Sequence, residues 1–330
     1  MSRLDHLSNT LDGDIWLKND GLYGTVYGGN KPRKLEFMLA DALDKGARTV
    51  ITTGGLGTNH GLATALYGRQ LGLDVVLLLT YEEPGPEIAG RLCELHSAGA
   101  RLHYTRSLPL TIASLPYFML RYRSGGRAPY FLGPGASTPL GALGYVSAAL
   151  ELAEQVRAGD LPAPRTIIVP AGTGGTAAGL ALGLRLAGLS TQVLAVAVTR
   201  APTAWSVWVV RLANSTGRLL RERGLAAVPR IGGADVCVAR AWLGPGFGRA
   251  SDEGEEARRL ALETEGLAVE HTYTAKTLAA LIALQRARRL AGPVLYWHTY
   301  NTIPRPRLTW TREDADRLPR TFHRFCGGIR

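Results

Sequence analysis

Cysteine is scarce in this 330-residue chain, and long apolar runs are absent. The three cysteines, Cys93, Cys237 and Cys326, lie far apart and form no Cys-x-x-Cys pair, so a disulfide framework or a zinc site is not expected. No apolar stretch reaches the roughly 20 residues of a membrane helix. The first residues carry acids and lack the apolar run of an export signal. We expect a cytoplasmic protein with no membrane partner.

Lysine is also rare. Of the 38 basic residues, five are lysines and 33 are arginines, and the formal net charge is +11. The arginines are scattered, with short clusters such as Arg258-Arg259. Because no stretch interleaves basic and aromatic residues in a recognised nucleic-acid motif, no nucleic-acid partner is expected. The charge favours binding of small anions in a cleft over weak binding to polyanions.

Short apolar runs alternate with helical patterns along the chain, which predicts an α/β fold with mostly parallel sheets flanked by helices. The predicted strands are continuous apolar runs, typical of strands buried on both faces; they are 49–53, 74–79, 101–104, 129–132, 166–169, 192–198, 235–239 and 293–298. The predicted helices are 32–43, 59–71, 87–98, 140–157, 175–187, 206–223, 253–265 and 274–290. Residues 43–140 form a self-sufficient set of strand–helix units. We therefore expect a smaller inserted domain at 43–140 and a larger domain built from 1–42 and 141–330.

The segment Gly28-Gly29-Asn30-Lys31-Pro32 precedes a predicted helix. Two glycines let the backbone bend sharply and approach a bound group closely. Lys31 would then lie at the positive end of the Pro32 helix, where partial burial lowers the pKa of its amine. A neutral lysine is what Schiff-base chemistry requires. The alternative is an ordinary loop with a solvated lysine.

Two glycine-rich turns each follow a strand and precede a helix. Gly172, Thr173, Gly174, Gly175 and Thr176 suit a phosphate cradle, because such a turn exposes main-chain N–H groups at a helix N-terminus. An ordinary tight turn fits them equally well.

The second glycine-rich turn begins at Gly54. At its end Thr58 and Asn59 are natural helix caps, with His60 next to them. The same groups could bind a substrate carboxylate. Further along, Tyr273 opens another helix, as a proton-transfer group or as a capping aromatic residue.

Together these motifs, GGNKPRKLEF, GGLGTNH, GTGGTAAG, YTAK and LYWHT, resemble those of D-cysteine desulfhydrases and 1-aminocyclopropane-1-carboxylate (ACC) deaminases. These are pyridoxal phosphate (PLP) enzymes of the tryptophan-synthase-β type, fold type II. The resemblance implies PLP as cofactor in a cleft between two α/β domains, a small amino-acid substrate and a homodimer. It covers about Leu17 to His298.

The resemblance also implies roles for individual residues. Lys31 matches the Schiff-base lysine, and Gly172 to Thr176 match the phosphate loop. Asn59 matches the residue near the phenolic oxygen of PLP. Thr58 matches the hydroxyl residue near the substrate carboxylate, and His60 lies beside it. Tyr273 matches the active-site tyrosine.

Thr274 and Thr299 are hydroxyl residues, and at these two positions hydroxyl residues are typical of the desulfhydrases. The resemblance implies that one of them lies at the pyridine nitrogen of PLP. Phe247 stands where ACC deaminases have a second tyrosine, which argues against cyclopropane ring opening. The chain departs from the family at Tyr300-Asn301, where two glycines are usual, and at Gly57-Thr58, where Gln-Ser is usual. The resemblance implies a lyase that catalyses β-elimination on a small amino acid, as D-cysteine desulfhydrases do, with a 2-oxo acid, ammonia and a thiol or sulfide as products. The alternatives are ACC deaminase-like ring opening and β- or γ-replacement on a specialised biosynthetic amino acid.

Overall fold

The computed structural model describes residues 1–83, 86–304 and 310–327. All eight predicted strands form, with ends that shift by at most two residues. The strands are β1 (Ser2–Arg3), β2 (Ile15–Asn19), β3 (Thr49–Gly55), β4 (Asp74–Thr80), β5 (Arg101–Arg106), β6 (Tyr130–Leu132), β7 (Thr166–Ala171), β8 (Gln192–Ala197), β9 (Val236–Ala239) and β10 (Val294–His298).

All eight predicted helices form as well. The helices are α1 (Asp5–Thr10), α2 (Asn30–Asp44), α3 (Asn59–Gln70), α4 (Pro86–Ser97), α5 (Leu108–Arg121), α6 (Pro139–Ala158), α7 (Gly175–Leu186), α8 (Ser206–Glu222), α9 (Asp252–Glu265), α10 (Thr274–Arg286) and α11 (Arg312–Asp316). The expected end of α10 at Leu290 is wrong, because Arg288 adopts a left-handed conformation with φ of 52°. The described helices include none that is long and apolar enough to cross a membrane.

The chain divides into two compact units, and the division falls within α2. The larger unit is Met1–Lys34 with Ser137–Ile303, and the smaller unit is Leu35–Ala136 with Pro304–Arg330. These bounds differ from the domain bounds expected from the sequence, chiefly because the end of the chain joins the smaller unit.

Aromatic packing explains where the end of the chain lies. The rings of Phe322 and Phe325 meet the ring of Tyr104 edge-on, at centroid distances of 6.1 and 5.3 Å. Phe322 is fully buried. The C-terminal segment therefore completes the core of the smaller unit.

The larger unit is built on a six-stranded sheet with the order β1-β2-β10-β7-β8-β9. Only β1 is antiparallel to its neighbour within this sheet. Along β10, Leu295 and Trp297 belong to a core cluster that includes residues of α6 and α7, whereas Val294 and Tyr296 belong to a cluster with residues of α9 and α10. The strand is apolar throughout because both of its faces are covered.

The smaller unit is built on a four-stranded parallel sheet with the order β5-β4-β3-β6. Five consecutive residues of β4, Val75 to Leu79, are buried. Phe118 of α5 packs with Ile51, Val76 and Leu78 on this sheet. Carboxyl ends of parallel strands lie at one edge, so the turns that follow β3 and β7 lie at such an edge of their own unit.

Candidate active site

Gly28 and Gly29 lead the chain to Lys31 through very close backbone contacts. A Cβ atom on Gly28 would lie 1.8 Å from the carbonyl oxygen of Gly21. Gly29 has φ of 90°, and a Cβ atom there would lie 2.5 Å from the carbonyl oxygen of Thr299. The close approach that the two glycines permit is therefore made to the protein's own backbone.

Asn301, one of the two residues that replace the usual glycines, holds this glycine segment. Its Oδ1 accepts a 2.5 Å hydrogen bond from the main-chain N–H of Gly28. Further along the segment, the N–H of Gly29 donates to the carbonyl oxygen of Asp20 at 2.8 Å, and the N–H of Asn30 donates to the carbonyl oxygen of Thr299 at 3.1 Å. The departure from the family pattern thus supplies a side chain that fixes the approach to Lys31.

Lys31 lies in the first turn of α2, which begins at Asn30 rather than at Pro32 as the sequence suggests. Removal from water lowers the pKa of the Lys31 amine to about 8, and the carboxylate of Glu270 opposes this shift in part. The lowered pKa agrees with the expectation from the sequence, with burial as the leading cause. At neutral pH a usable fraction of the amine is then unprotonated.

A buried ionic cluster anchors the start of α2. Oδ1 of Asp20 accepts hydrogen bonds of 3.0 and 2.9 Å from Nε and Nη2 of Arg33. Oδ2 of Asp20 accepts 2.7 Å hydrogen bonds from the hydroxyl of Tyr145 and from Nε1 of Trp297. Asp20 and Arg33 are 1 % and 4 % exposed, so the charges are paired where water cannot screen them. The cluster fixes the turn of α2 that carries Lys31.

The turn between β7 and α7 has the geometry of an anion cradle. Gly174 caps α7 with φ of 79°. The N–H of Gly175 donates to Oγ of Ser137 at 3.2 Å, and the same oxygen lies 2.6 Å from Oγ1 of Thr173. Thr176 Oγ1 accepts a 3.2 Å hydrogen bond from Nδ2 of Asn30, the residue before Lys31. The cradle and the lysine segment are therefore directly connected.

Lys34 places a buried amine at this cradle. Its side chain is buried, and its Nζ donates to Oγ of Ser137 at 3.3 Å. A Cβ atom on Gly175 would lie 2.6 Å from that Oγ and 2.9 Å from Nζ of Lys34. Burial holds the pKa of Lys34 well below its usual range, and the charge of Lys31 lowers it further.

The phosphate of PLP fits this donor set. A phosphate at the turn would offset the repulsion between Lys31 and Lys34, and it would lie at the positive N-terminus of α7. Thr173 and Thr176, together with Ser137, offer hydroxyl groups to its oxygens.

Glu270 holds the start of α10, where Tyr273 lies. Its Oε1 accepts hydrogen bonds of 2.8 Å from the N–H groups of Tyr273 and Thr274, and its Oε2 accepts one of 2.7 Å from Thr272. A Cβ atom on Gly172 would lie 3.6 Å from Cε1 of Tyr273. The tyrosine ring therefore lies against the turn that follows β7.

The two threonine hydroxyls differ in their surroundings. Oγ1 of Thr274 accepts a 2.8 Å hydrogen bond from the N–H of Glu270 and lies 3.2 Å from Oε1 of the same residue. Thr299 is 7 % exposed, and its Oγ1 makes no hydrogen bond within the part of the chain that the structure describes. Thr299 therefore has the freer hydroxyl of the pair.

Phe247 packs beside Tyr273, with ring centroids 5.7 Å apart and planes at 83°. The loop that carries it is fixed by Lys276, whose buried Nζ donates to the carbonyl oxygens of Leu243 and Gly246 at 2.9 and 2.6 Å. Phe247 itself is 42 % exposed. The loop from Gly244 to Phe247 is thus held in place, and it sets the ring of Phe247 edge-on against Tyr273.

The remaining predicted residues lie in the smaller unit. Thr58 caps α3, and its Oγ1 accepts a 3.1 Å hydrogen bond from the N–H of Gly61. Asn59 is the first residue of α3. His60 is 5 % exposed, and its Nε2 lies 3.0 Å from Oγ1 of Thr52. Thr58 takes its expected capping role, and His60 is bonded within the core.

Sequence reasoning missed Asn30, Lys34, Ser137 and Glu270. Asn30 and Lys34 flank Lys31 in the lysine motif, so their positions could have been suspected. Ser137 is distant in sequence from Lys34 and Gly175, and Glu270 is distant from Lys31, so no local pattern indicates these relationships.

Comparison with known proteins agrees with this geometry. Residues 1–299 match the model of the family described as "Pyridoxal-phosphate dependent enzyme". The chain is 34% identical to the D-cysteine desulfhydrase of Salmonella schwarzengrund over 304 residues, which cover 90% of this chain and 89% of that protein. It is also 34% identical to the D-cysteine desulfhydrase of Klebsiella pneumoniae, with the same coverage.

A solved structure described as an ACC deaminase homologue superposes with a TM-score of 0.78 at 29% identity, covering 91% of this chain and 88% of that one. The match spans both α/β units. With the lysine of lowered pKa and the anion cradle beside it, this likeness shows that the chain belongs to the fold type II family of pyridoxal-phosphate dependent enzymes.

Proposed function

We propose that this enzyme is a lyase that catalyses β-elimination on a small amino acid, in the manner of a D-cysteine desulfhydrase. The products are a thiol or sulfide, ammonia and a 2-oxo acid. The observation that carries the proposal is Lys31, whose pKa of about 8 makes it a competent base beside an anion cradle. We also infer a homodimer in the cytoplasm.

Bound at Lys31 and the cradle, PLP supplies an electron sink for negative charge at Cα of the substrate. The amine of Lys31, freed when the amino group of the substrate takes its place, would remove the Cα proton, because it stays close to the reacting atom at high effective concentration. The Cβ–S bond then breaks, and the phenol of Tyr273 donates a proton to the departing sulfur. The enamine released is hydrolysed by water to the 2-oxo acid and ammonia.

Thr58 and Asn59 are proposed to bind the substrate and cofactor from the start of α3. Thr58 Oγ1 already accepts from the N–H of Gly61, so its own proton is available to a substrate carboxylate. Asn59 is proposed near the phenolic oxygen of PLP. His60, with its ring bonded to Thr52, is proposed to act only by supporting this turn.

Thr299 is proposed as the partner of the pyridine nitrogen, because the hydroxyl of Thr274 is engaged with Glu270. A neutral hydroxyl at this position leaves the nitrogen unprotonated. The electron sink is then weaker, which suits elimination, where the leaving group carries away the negative charge.

ACC deaminase-like ring opening is the second candidate, because an ACC deaminase homologue is among the structural relatives. Phe247 argues against it, since its ring meets Tyr273 at 5.7 Å and has no hydroxyl to move a proton. β- or γ-replacement on a specialised amino acid is a third candidate with the same cofactor.

The decisive experiment is the absorbance spectrum of the purified protein before and after addition of D-cysteine, with sulfide and pyruvate measured in parallel. A yellow band that changes, together with sulfide release, is expected. L-cysteine and ACC serve as matched comparisons. A band that responds to ACC alone would overturn the desulfhydrase proposal, and a protein without any band after incubation with PLP would overturn cofactor binding at Lys31.

A further inference from the structure

A groove of about 430 Å³ lies along α8, and its lining includes none of the residues assigned above. We call it the arginine groove; its lining residues are Arg211, Asn214, Ser215, Arg218, Arg221 and Arg230. All six side chains are polar, four carry a guanidinium group, and none is a carboxylate. The groove is therefore a concentrated positive surface.

Helix geometry brings these arginines together. Arg211 and Arg218 are seven residues apart, which is about two helical turns, so they lie on one face of α8. Arg221 follows one turn later on the same side. The fold therefore places these arginines, which are separated in the sequence, on one face of α8.

The fourth arginine is placed by hydrogen bonds between α8 and the segment that follows it. Asn214 Nδ2 donates to the carbonyl oxygen of Ile231 at 2.9 Å, and Asn214 Oδ1 accepts from the N–H of Ile231 at 3.0 Å. Arg221 Nη2 donates to the carbonyl oxygen of Val228 at 2.7 Å. Arg230 is therefore held beside the helix before any ligand arrives.

Counter-charges are missing from the groove. Arg211, Arg218 and Arg230 form no ion pair with any carboxylate among residues 1–83, 86–304 and 310–327. Other arginines of this unit are paired, such as Arg185 with Asp235 at 2.5 Å and Arg258 with Glu255 at 2.9 Å. Like charges held together repel one another, and a multiply charged anion would relieve this repulsion.

The lining chemistry defines the class of ligand. Most small-molecule sites are lined mainly by apolar and aromatic side chains, whereas the arginine groove has none among its lining residues. The planar fork of arginine matches pairs of phosphate oxygens. We propose that the arginine groove binds a small molecule that carries two or more linked phosphate groups.

Calorimetric titration of the PLP-loaded protein with inorganic tripolyphosphate tests this proposal. With PLP bound, the cradle at Gly172 to Thr176 is filled, so added phosphate groups report on other sites. The double variant Arg211→Gln/Arg218→Gln should lose affinity by roughly 10²-fold or more, because it removes two of the four guanidinium groups that line the groove. Its PLP absorbance and its thermal midpoint should be unchanged, since both side chains are exposed.

The matched control is Arg157→Gln/Arg259→Gln, which removes two exposed arginines from α6 and α9 and lowers the net charge equally. Its affinity should stay within about twofold of the wild type, because the groove is intact. No binding by the wild-type protein, or an equal loss in both double variants, would overturn the proposal. Displacement of tripolyphosphate by a short DNA duplex at lower concentration would overturn it in favour of a nucleic-acid surface.

Discussion

The main-chain N–H of Tyr273 donates a 2.8 Å hydrogen bond to Oε1 of Glu270. The residue that carries the phenol is thus held through its backbone by a carboxylate three positions earlier. The same carboxylate raises the pKa of Lys31 against the effect of burial. One side chain therefore influences both groups proposed to move protons.

The pH dependence of PLP capture follows from this relationship. Only the neutral amine of Lys31 reacts with an aldehyde, so the capture rate of the apo-protein should rise with pH through a midpoint near 8. Glu270→Gln keeps an acceptor but removes the charge, so the midpoint should move to lower pH. Stopped-flow absorbance measures both profiles.

Glu263→Gln, a change at an exposed carboxylate of α9, is the control for this measurement and should leave the midpoint in place. A midpoint of the wild-type protein at or above about 10, the usual range of a solvated lysine, would contradict the lowered pKa of Lys31.

Lys31→Ala should abolish covalent attachment of PLP and lower turnover by roughly 10²–10⁴ or more, because the base is lost together with the attachment point. Borohydride reduction followed by peptide mass spectrometry measures the attachment. Lys45→Ala, a change at an exposed lysine just beyond α2, is the control and should keep the adduct at Lys31. A reducible adduct at another lysine in the Lys31→Ala variant would show that the assignment is wrong.

Lys34→Gln should weaken PLP binding by roughly 10–100-fold, because a charge-assisted hydrogen bond to phosphate is worth about 1.5–3 kcal/mol. Equilibrium dialysis of the apo-protein measures the affinity. The same variant should bind pyridoxal, which lacks the phosphate, about as well as the wild type does. An equal loss for both ligands would mean that Lys34 supports the fold and not the phosphate.

Tyr273→Phe should leave PLP affinity within a few fold and slow elimination by roughly 10²–10⁴, the usual contribution of a general acid or base. Steady-state sulfide release gives kcat and KM, and the loss should fall on kcat. Phe247→Leu tests the ring contact without touching the phenol, and its effect should be far smaller. Unchanged kinetics of the Tyr273→Phe variant would reduce this residue to a packing role.

Asn301→Ala should destabilise the protein by about 1 kcal/mol and lower PLP occupancy, because the N–H of Gly28 loses its acceptor. Chemical unfolding and cofactor content measure these two effects. Asn301→Asp retains an oxygen at Oδ1 and should restore most of the occupancy. If the alanine variant keeps full occupancy, the side chain does not order the segment before Lys31.

Helix α5 shows why part of the fold could not be predicted from the sequence. It runs from Leu108 to Arg121 with Pro116 inside, and a proline in a helix interior normally breaks the pattern. In the structure Pro116 and Ile112 are exposed, so the carbonyl group that the proline leaves unbonded can reach water. Strongly periodic segments without an internal proline are predicted to within one or two positions, except at the end of α10, which lies at Arg286 and not at Leu290.

Strand β2 was missed for a different reason. Lys18 interrupts its apolar run, yet this lysine is 4 % exposed because its Nζ pairs with Glu151 at 2.5 Å. The partner lies on α6, more than a hundred residues away in the sequence. A local pattern cannot reveal that a charge is buried when its counter-charge is contributed by a distant element.

Within the candidate site, too, local motifs can be predicted from the sequence and contacts between distant residues cannot. Motifs that are contiguous in sequence, such as the turn from Gly172 to Thr176, could be found by reading along the chain. The contact of Lys34 with Ser137 could not, because 103 residues separate them. The sequence indicates short contiguous backbone motifs well. It does not indicate which distant side chains these motifs bring into contact.

The cluster around Asp20 limits how this enzyme could evolve. One carboxylate serves Arg33, Tyr145 and Trp297, which belong to three different elements. Loss of Asp20 would leave all three donors without their acceptor, and loss of any one donor would leave the buried carboxylate short of a hydrogen bond. Single substitutions in this cluster are therefore expected to be strongly destabilising. Substrate range is therefore expected to diversify at exposed positions such as Phe247, while the cluster changes only through rare compensated pairs.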